Sequence, residues 1–315
     1  VQSVALRLVV DREREILAFS NEAYYKVEAL FHPEGTPETT LVKAVLDRRF
    51  PDMESAREFL ERCIGAKFTI SSIEKKEGTR TPAAPFTTST LQQEAARKLR
   101  LSVSQTMSIA QRLYESGLIT YMRTDSTNLS SLAINTAKQY INNNFGEAYS
   151  QVRQYRTKAK GAQEAHEAIR PTYIENTSIE GTPQEKKLYE LIWKRTVASQ
   201  MADARILRTD IKVSSDKGEE KFNVQASQVL FDGFLKLYIE GSDEPAQDDE
   251  MTILPEMQIG AQMFENGITA ECKFTAAPSR YSEATLVKKL EELGIGRPST
   301  DAPTISTLTK GRGYI

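Results

Sequence analysis

Hydrophobic residues recur along the chain at two spacings, one typical of helices and one typical of strands. Helical spacing over residues 1–19 predicts a helical first segment. Alternation of apolar and polar residues from Asn21 to Phe31 predicts a strand, residues 52–66 a short helix, and residues 67–77 a second strand. The stretch 78–85, rich in proline and glycine, then predicts the end of this β region.

The pattern that follows is helical. Two hydroxyl residues are each followed three positions later by glutamine, Thr90 by Gln93 and Ser102 by Gln105, which predicts capping boxes at the starts of two helices. The second helix is expected to end at Gly117, because glycine suits the left-handed conformation that closes many helices. Two further helices are predicted, at residues 131–144 and 183–202.

Strand-like patterns return in the last third of the chain. They occupy residues 207–213, 221–226 and 234–239 and are followed by an acidic stretch at 241–250 and a helix at 283–293. The sequence therefore predicts an α+β multidomain fold in which a β domain is interrupted by an inserted helical domain, with helical segments at both ends. The predicted boundaries are residues 1–19 (helical), 20–80 (β), 81–206 (inserted helical domain), 207–275 (β) and 276–315 (helical).

The composition limits the classes of function. The 315 residues are 39% hydrophobic and 27% charged, and there is neither an apolar run of about 18 residues nor an export leader, so a soluble, cytoplasmic protein is expected. The two cysteines, Cys63 and Cys272, are too few and too far apart for a zinc site or a disulfide framework. Buried thiols and no metal site are expected instead.

The net charge of −2 argues against a protein that coats nucleic acid by bulk attraction, so any contact with DNA has to be local. Like charges cluster in two places: Arg153, Arg156, Lys158 and Lys160 in one, and Asp243, Glu244, Asp248, Asp249 and Glu250 in the other. Charge runs of this kind are most often solvated surface, and alone they assign no function.

Residues 120–128 form the densest polar cluster of the chain and follow directly after an apolar helix. The cluster contains a phenol, Tyr121, and a cation, Arg123. A tyrosine with an unperturbed pKa of about 10 needs a nearby cation or base to act as a nucleophile at neutral pH, and a guanidinium can also bind phosphate oxygens. By residue type alone, a capped surface turn is the more common explanation.

The polar cluster belongs to a segment, Gly117–Ser126, that resembles the active-site signature of type IA DNA topoisomerases. Met122, directly after the tyrosine, and the run Glu167–Arg170 are more similar to bacterial topoisomerase I than to topoisomerase III. Asp301 departs from the family, which usually has tyrosine at that place. Four further segments match family signatures in their usual order: Val1–Ala5, Ala84–Gln93, Ala165–Thr172 and Gly294–Thr300.

The resemblance implies an ATP-independent enzyme in which Tyr121 attacks single-stranded DNA and forms a 5′-phosphotyrosine link. A strand then passes through the break, the break is resealed, and negative supercoils relax. Arg123 would bind the phosphate, and His166 would approach the cleavage site, although a lone histidine is more often structural. The other residues that the resemblance implies as DNA contacts are Gln2, Gln111, Glu115, Arg170, Arg297, Ser299 and Thr300.

Simpler roles stay open for several of these residues. Gln111 and Glu115 lie four apart, so an ordinary solvated helix face would also explain them. Arg297, Ser299 and Thr300 suit a phosphate contact, but the two hydroxyl residues would also suit the start of a helix.

The family carries its Mg²⁺ site on a TOPRIM domain that precedes the segment matched by Val1. Mg²⁺ and that domain, in cis, are therefore expected in a longer protein, and no cofactor or zinc-ribbon tail is expected within these residues. A helical pattern that is already present at Val1, with no methionine before it, also suggests preceding sequence. The chain is expected to be monomeric and, without the TOPRIM domain, nearly inactive.

Two other functions stay open from the sequence. One is a non-catalytic module that binds single-stranded DNA, in which Tyr121 stacks on a base and arginines follow the phosphates. The other is a structural arch that binds partner proteins through the acidic stretch.

Overall fold

Six antiparallel strands close into a barrel that forms the β part of the molecule. The structure is a computed structural model and describes residues 1–155, 166–242 and 253–314. The barrel order is β1-β2-β5-β4-β3-β6. The strands are β1 (Ala23–Pro33), β2 (Val42–Phe50), β3 (Phe68–Arg80), β4 (Ala204–Ser215), β5 (Lys221–Phe231) and β6 (Gln262–Phe274).

Aromatic side chains fill the barrel. Alternation along β1 directs Val27, Ala29 and Phe31 inward, as the sequence pattern predicts. The Phe31 ring lies 5.1 Å from that of Phe68 and 5.5 Å from that of Phe222, centroid to centroid. Helix α2 (Met53–Cys63) covers part of this core with its buried face.

The helical region is inserted between two neighbouring strands of the barrel. β3 and β4 pair along their lengths, and the last pair joins Arg80 to Ala204. The chain thus leaves the barrel at one edge of this hairpin and returns beside the same point, which confirms the predicted interruption of the β domain. The inserted helices are α3 (Thr88–Leu99), α4 (Val103–Glu115), α5 (Ser131–Asn144) and α6 (Pro183–Ser199).

The inserted region has its own hydrophobic core, which is separate from that of the barrel. Leu91, Ile109 and Leu113 from α3 and α4 pack there with residues of α6. The Trp193 indole lies in this core and donates a hydrogen bond to the Ile174 carbonyl at 2.7 Å. The inserted helices are therefore stabilised largely by contacts among themselves.

The two ends of the chain pack together and against the inserted region. Helices α1 (Gln2–Ala18), α7 (Glu283–Glu292) and α8 (Asp301–Ser306) meet in a small cluster, and a π-helical turn, Thr307–Gly311, follows α8. Val103, at the start of α4, belongs to the same cluster. The end helices are thereby fixed beside the residues that precede Tyr121.

Three details of the predicted elements are wrong. β2 and β6 were not predicted, and residues 234–239 are not a strand, because Gly233 turns the chain into a short 3₁₀ helix at Gly233–Lys236. Phe234 and Tyr238 are buried four positions apart in the helical core, which suits helical turns and not a strand.

Helix α3 begins three residues earlier than predicted. Its capping box pairs Thr87 with the Thr90 hydroxyl, while the Gln93 amide donates to Ser89 and Glu291. The capping box of Ser102 and Gln105 and the left-handed Gly117, with φ of 72°, are confirmed. Hydroxyl-rich runs such as the one before α3 offer several possible caps, so the sequence alone does not fix the first turn.

Both charged clusters extend beyond the described residues. Arg156, Lys158 and Lys160 lie outside them, as do all five acids of the acidic stretch. Arg153 is described and pairs with Asp203. Among the described residues, no helix is both long and apolar enough to cross a membrane.

Candidate active site

Three segments that are far apart in sequence lie side by side at the end of α4. The Ile169 N–H donates to the Phe86 carbonyl at 2.8 Å, and the Thr120 N–H donates to the Arg170 carbonyl at 2.9 Å. A third bond, from the Ala168 N–H to the Asn128 carbonyl, measures 2.8 Å. Residues 84–88, 118–128 and 166–172, which belong to three of the matched signatures, therefore form one connected layer.

The central segment alternates between buried and exposed side chains. Met122 and Thr124 are 2% and 3% exposed, whereas Tyr121 is 41% exposed and Arg123 is also exposed. Burial thus alternates along the segment, and both Tyr121 and Arg123 are exposed to solvent while Met122 and Thr124 are packed inside. Arg123 forms no hydrogen bond or ion pair with other residues of the described ranges. Its guanidinium is therefore open to a ligand.

The end of α4 places a second tyrosine against the first. The Gly117 N–H bonds to the Tyr114 carbonyl at 2.8 Å and the Leu118 N–H to the Leu113 carbonyl at 2.9 Å, which closes the helix and turns the chain back. The Tyr114 ring then meets the Tyr121 ring edge-on, with centroids 5.2 Å apart. Tyr114 was not among the residues predicted for the site.

Thr88 anchors the segment that carries Tyr121 to the first turn of α3. Its buried hydroxyl donates to the Met122 carbonyl at 2.8 Å and accepts from the Thr124 N–H at 2.8 Å. The Thr88 N–H also donates to the Thr124 carbonyl at 2.9 Å. Because these bonds flank Arg123, Thr88 holds the backbone that orients the exposed pair. Apart from its place in a hydroxyl-rich run, no feature of the sequence pointed to Thr88.

Glu167 and Arg170 form a bidentate ion pair next to the segment that carries Tyr121. The Arg170 Nη2 lies 2.7 Å from Glu167 Oε2 and its Nε 3.2 Å from Oε1, while Nη1 donates to the Pro171 carbonyl. Burial alone would raise the pKa of Glu167, but hydrogen bonds from Arg170 and Ser130 outweigh burial and hold that pKa below its usual range. The structure thus engages Arg170 internally, and its contact with DNA stays a prediction.

The remaining predicted residues are spread around this layer. Gln111 Nε2 donates to Glu115 Oε1 at 2.6 Å, so the two do share one helix face. His166 is half-buried at the start of the third segment. Gln2, in the first turn of α1, and Ser299 are exposed.

Arg297 faces the central segment across a cavity. The cavity is bounded on one side by Thr124 and Asp125 and on the other by Arg297 and Pro298. The Thr300 hydroxyl accepts from the Arg297 N–H at 2.8 Å and makes no capping bond to α8. Thr300 thus stands at the N-cap position of α8, as the sequence allowed, but its hydroxyl closes a tight turn beside the cavity instead of capping the helix.

Across residues 1–155, 166–242 and 253–314, no three His, Cys, Asp or Glu side chains are grouped as a metal site would require. The cations of the site are arginines.

Comparisons with known proteins agree with this arrangement. A family model described as DNA topoisomerase matches residues 1–315. DNA topoisomerase 1 of Zymomonas mobilis is 44% identical over the whole of this chain, which covers 27% of that protein. DNA topoisomerase 1 of Mycolicibacterium smegmatis is also 44% identical over the whole chain, which covers 38% of that protein.

A solved structure shows the same fold. Full-length topoisomerase I from Thermotoga maritima matches all of this chain with a TM-score of 0.79 and 36% identity, and the chain covers 51% of that structure. The chain therefore spans from about a quarter to about half the length of these relatives. Its fold, its ordered signatures and the full-length family match lead to one conclusion: the chain belongs to the type IA DNA topoisomerase family.

Proposed function

We propose that this chain forms the strand-cleaving part of a DNA topoisomerase, with Tyr121 as the nucleophile. The observation that carries the proposal is the joint exposure of Tyr121 and Arg123 on a backbone that is hydrogen-bonded to two other segments. Attack on a phosphodiester requires a nucleophile and a cation that binds the phosphate, held in a fixed position relative to each other.

The reaction exchanges one phosphodiester for another. The Tyr121 Oη attacks phosphorus, a bond from phenolic oxygen to phosphorus forms, and the bond from phosphorus to the 3′-oxygen breaks. The phenolic proton leaves to a base or to water, and the departing oxygen takes up a proton to become a 3′-hydroxyl. Attack by that hydroxyl reverses every step, so resealing needs no external energy source and negative supercoils can relax.

The neighbouring residues have separate tasks in this scheme. Arg123 would bind the phosphate oxygens, where negative charge builds up during attack. His166 would exchange protons with the reacting oxygens, and the ion pair of Glu167 with Arg170 would hold the stretch that begins with His166 in place. The residues proposed to guide the strand are Gln2, Gln111, Glu115, Arg170, Arg297, Ser299 and Thr300.

From the resemblance to the family, we assign the chemistry of magnesium to a TOPRIM domain of a longer protein. Bound there, the ion would stabilise charge on the departing oxygen. The chain by itself is accordingly proposed to be a monomer that binds single-stranded DNA and cleaves it poorly. Relaxation of supercoiled plasmid by this chain alone would contradict that part of the proposal.

The test is formation of a covalent adduct. The chain is mixed with an end-labelled single-stranded oligonucleotide, Mg²⁺ and a separately produced TOPRIM domain, and adducts that resist denaturant are counted. Tyr121→Phe should abolish the adduct, while Tyr173→Phe, which removes another exposed hydroxyl of the inserted region, should leave it unchanged. If Tyr121→Phe formed as much adduct as the original chain, Tyr121 would not be the nucleophile.

A second candidate function is a module that binds single strands without cleaving them. The exposed, edge-on pair of Tyr114 and Tyr121 favours it, because aromatic rings are the common platforms for unpaired bases. Such a module binds the oligonucleotide but leaves no adduct under any of these conditions.

A further inference from the structure

The phenol of Tyr121 is held by few contacts of its own. Its backbone is fixed on both sides by the hydrogen bonds of Thr120 and Met122. Its side chain is 41% exposed, and its hydroxyl has no hydrogen-bond partner among the residues that the structure describes. The direction of the phenol therefore depends on the side chains that its ring touches.

Tyr114 supplies the aromatic contact to this ring. The two ring centroids lie 5.2 Å apart and the ring planes meet at 66°, which is an edge-to-face arrangement. Aromatic rings attract each other in this arrangement at centroid distances of about 4.5–7 Å. Tyr121 has no second aromatic partner in the described part of the chain. The ring of Tyr114 is thus the aromatic support of the nucleophile.

Tyr114 is itself fixed by the end of α4. It lies in the last turn of the helix, where its carbonyl accepts from the Gly117 N–H at 2.8 Å, and the preceding Leu113 is buried in the helical core. Gly117 has φ of 72° and open space where a Cβ atom would lie, so the backbone conformation that glycine allows turns the chain back here. A rigid helix end thus presents the Tyr114 ring to the Tyr121 ring.

The rotamer of Tyr121 matters for the rate of attack. Rotation about its Cα–Cβ bond moves between staggered positions and carries the phenolic oxygen to a different place in each. Attack requires that this oxygen lie about 3–3.5 Å from phosphorus and in line with the bond that breaks. An edge-to-face contact favours the rotamer that makes it by about two- to tenfold.

We propose that Tyr114 is a positioning residue for the reaction: its ring holds the Tyr121 ring in the rotamer from which the phenolic oxygen attacks phosphorus. The proposal rests on the proposed function, because it requires that Tyr121 be the nucleophile. Tyr114 takes part in no bond that forms or breaks. It therefore affects the rate at which bound DNA is cleaved and not the affinity for DNA, which separates it from a ring that stacks on a base.

The test separates the rate of cleavage from binding. The chain is mixed with the TOPRIM domain, Mg²⁺ and a saturating end-labelled oligonucleotide, and the rate of adduct formation is measured. Affinity is measured by fluorescence anisotropy. Tyr114→Leu removes the ring and should slow adduct formation about two- to tenfold, with unchanged affinity. Tyr114→Phe should keep the original rate, because the Tyr114 hydroxyl has no partner among the described residues.

Tyr173→Leu is the matched control. It removes another exposed ring from the inserted region, one that forms no aromatic pair with Tyr121 in the described structure. This variant should have the rate and the affinity of the original chain.

A second readout follows the Tyr121 ring without DNA. In a chain that carries isotope-labelled tyrosine, the magnetic resonance signals of the Tyr121 ring are those lost in Tyr121→Phe. A neighbouring aromatic ring shifts such signals, so Tyr114→Leu should move them toward the values of an unstructured tyrosine. Tyr114→Phe and Tyr173→Leu should leave them nearly in place.

Several results would overturn the inference alone. They are an original rate or an unmoved Tyr121 signal in Tyr114→Leu, a loss of rate in Tyr114→Phe equal to that in Tyr114→Leu, and weaker binding by Tyr114→Leu with an unchanged rate at saturation. The last of these would assign the ring to a base. If the original chain formed no adduct, the proposed function would fail, and this inference with it.

Discussion

Glu167 is expected to stabilise the fold only while it is ionised. Its pKa is lowered in the folded chain, so its contribution is complete above the unfolded value of 4.5 and is lost as the pH falls through the folded value. Glu167→Gln should therefore reduce the free energy of unfolding by about 1–2 kcal/mol at pH 7, and by progressively less below pH 4.5. Urea unfolding followed by circular dichroism at several pH values measures this difference.

Glu175→Gln is the matched control for Glu167, because it removes an exposed carboxylate from the same part of the chain. It should change stability little at any of these pH values. A loss in Glu167→Gln that is the same at pH 7 and below pH 4.5 would show that charge is not the source of the stabilisation.

Asp301 is expected to have the opposite pH dependence. Burial and the nearby Glu291 charge raise its pKa to about 6, against 3.8 for an unperturbed aspartate, and hydrogen bonds from Thr300 and Arg297 offset this only in part. The folded chain binds the proton more tightly, so this group destabilises it above pH 6, and stability rises as the pH falls from about 6 toward 4. Asp301→Asn should thus be more stable at pH 8, by up to about 3 kcal/mol.

The gain in Asp301→Asn should shrink toward pH 4, and Asp47→Asn, which makes the same charge change on β2, should show no such trend. The measurement is the urea midpoint across this pH range. The other ionisable groups that line the cavity are Asp125, Tyr155, Glu291 and Arg297, and all of them are retained in both variants. If Asp301→Asn were less stable than the original chain at pH 8, the Asp301 carboxylate would have hydrogen-bond donors in solution that stabilise its charge.

Sequence reasoning at the residue scale found the exposed groups but not those that hold them. Tyr121 and Arg123 were identified because their segment, Gly117–Ser126, resembles the active-site signature of the type IA family, whereas residue type alone favoured a surface turn. Thr88 matters through Met122 and Thr124, which are 34 and 36 positions away, and the placement of the Asp301 carboxylate depends on the left-handed backbone of Gly296. Spacing along one segment carries no information about such contacts.

At the scale of elements, the first turn of α3 serves as the anchor for the segment that contains Tyr121. Thr88→Val keeps the side-chain shape but leaves the Thr124 N–H without its hydroxyl partner, which should cost about 1–3 kcal/mol of stability. Yield of the DNA adduct should fall further than stability alone explains, because the backbone beside Arg123 is released.

Thr88→Ser retains the hydroxyl and should restore most of the adduct yield. Both variants are assayed well below their melting temperatures, so that the folded fraction is equal. Equal yields from Thr88→Val and the original chain would show that α3 does not position the segment.

Elements with strong local signals were predicted well, and those that depend on their partners were not. α4 carries a capping box at Ser102 and a left-handed glycine at its end, and both are local features. β2 and β6 are half-exposed barrel strands with charged outer faces, and Gly267 interrupts the pattern of β6. Pairing with β1 makes them strands; β2 follows β1 directly in the chain, whereas β6 pairs with it from far away, with Phe274 beside Ala23.

At the scale of the whole molecule, the interruption of the β domain was predictable but the closure of the barrel was not. The spacing of hydrophobic residues changes from alternating to helical and back again. This change along the sequence is enough to indicate an inserted helical region. Closure depends on β6, which pairs with β3 and also with β1, and the second pairing joins residues as far apart as Ala23 and Phe274. The cavity bounded by Thr124 and Arg297 likewise forms between parts that are far apart in sequence, so the spacing of residues along the chain does not predict it.

The net charge of −2 makes the salt dependence of DNA binding a test of local attraction. For single strands, the logarithm of the binding constant falls with the logarithm of salt concentration by about 0.7 for each phosphate neutralised. Arg123 has no ion-pair partner among the described residues, so Arg123→Gln should make the slope shallower by about 0.7. Anisotropy titrations from low to moderate salt measure it.

Arg57→Gln changes the net charge by the same amount but lies on the barrel helix α2, where its Nε is 2.8 Å from Glu61. If the overall charge of the molecule governed binding, both variants would shift the slope alike. If the exposed pair of Tyr121 and Arg123 receives the phosphate, only Arg123→Gln changes the slope, and Arg57→Gln follows the original chain. The two outcomes separate a local phosphate site from general attraction without relying on catalysis.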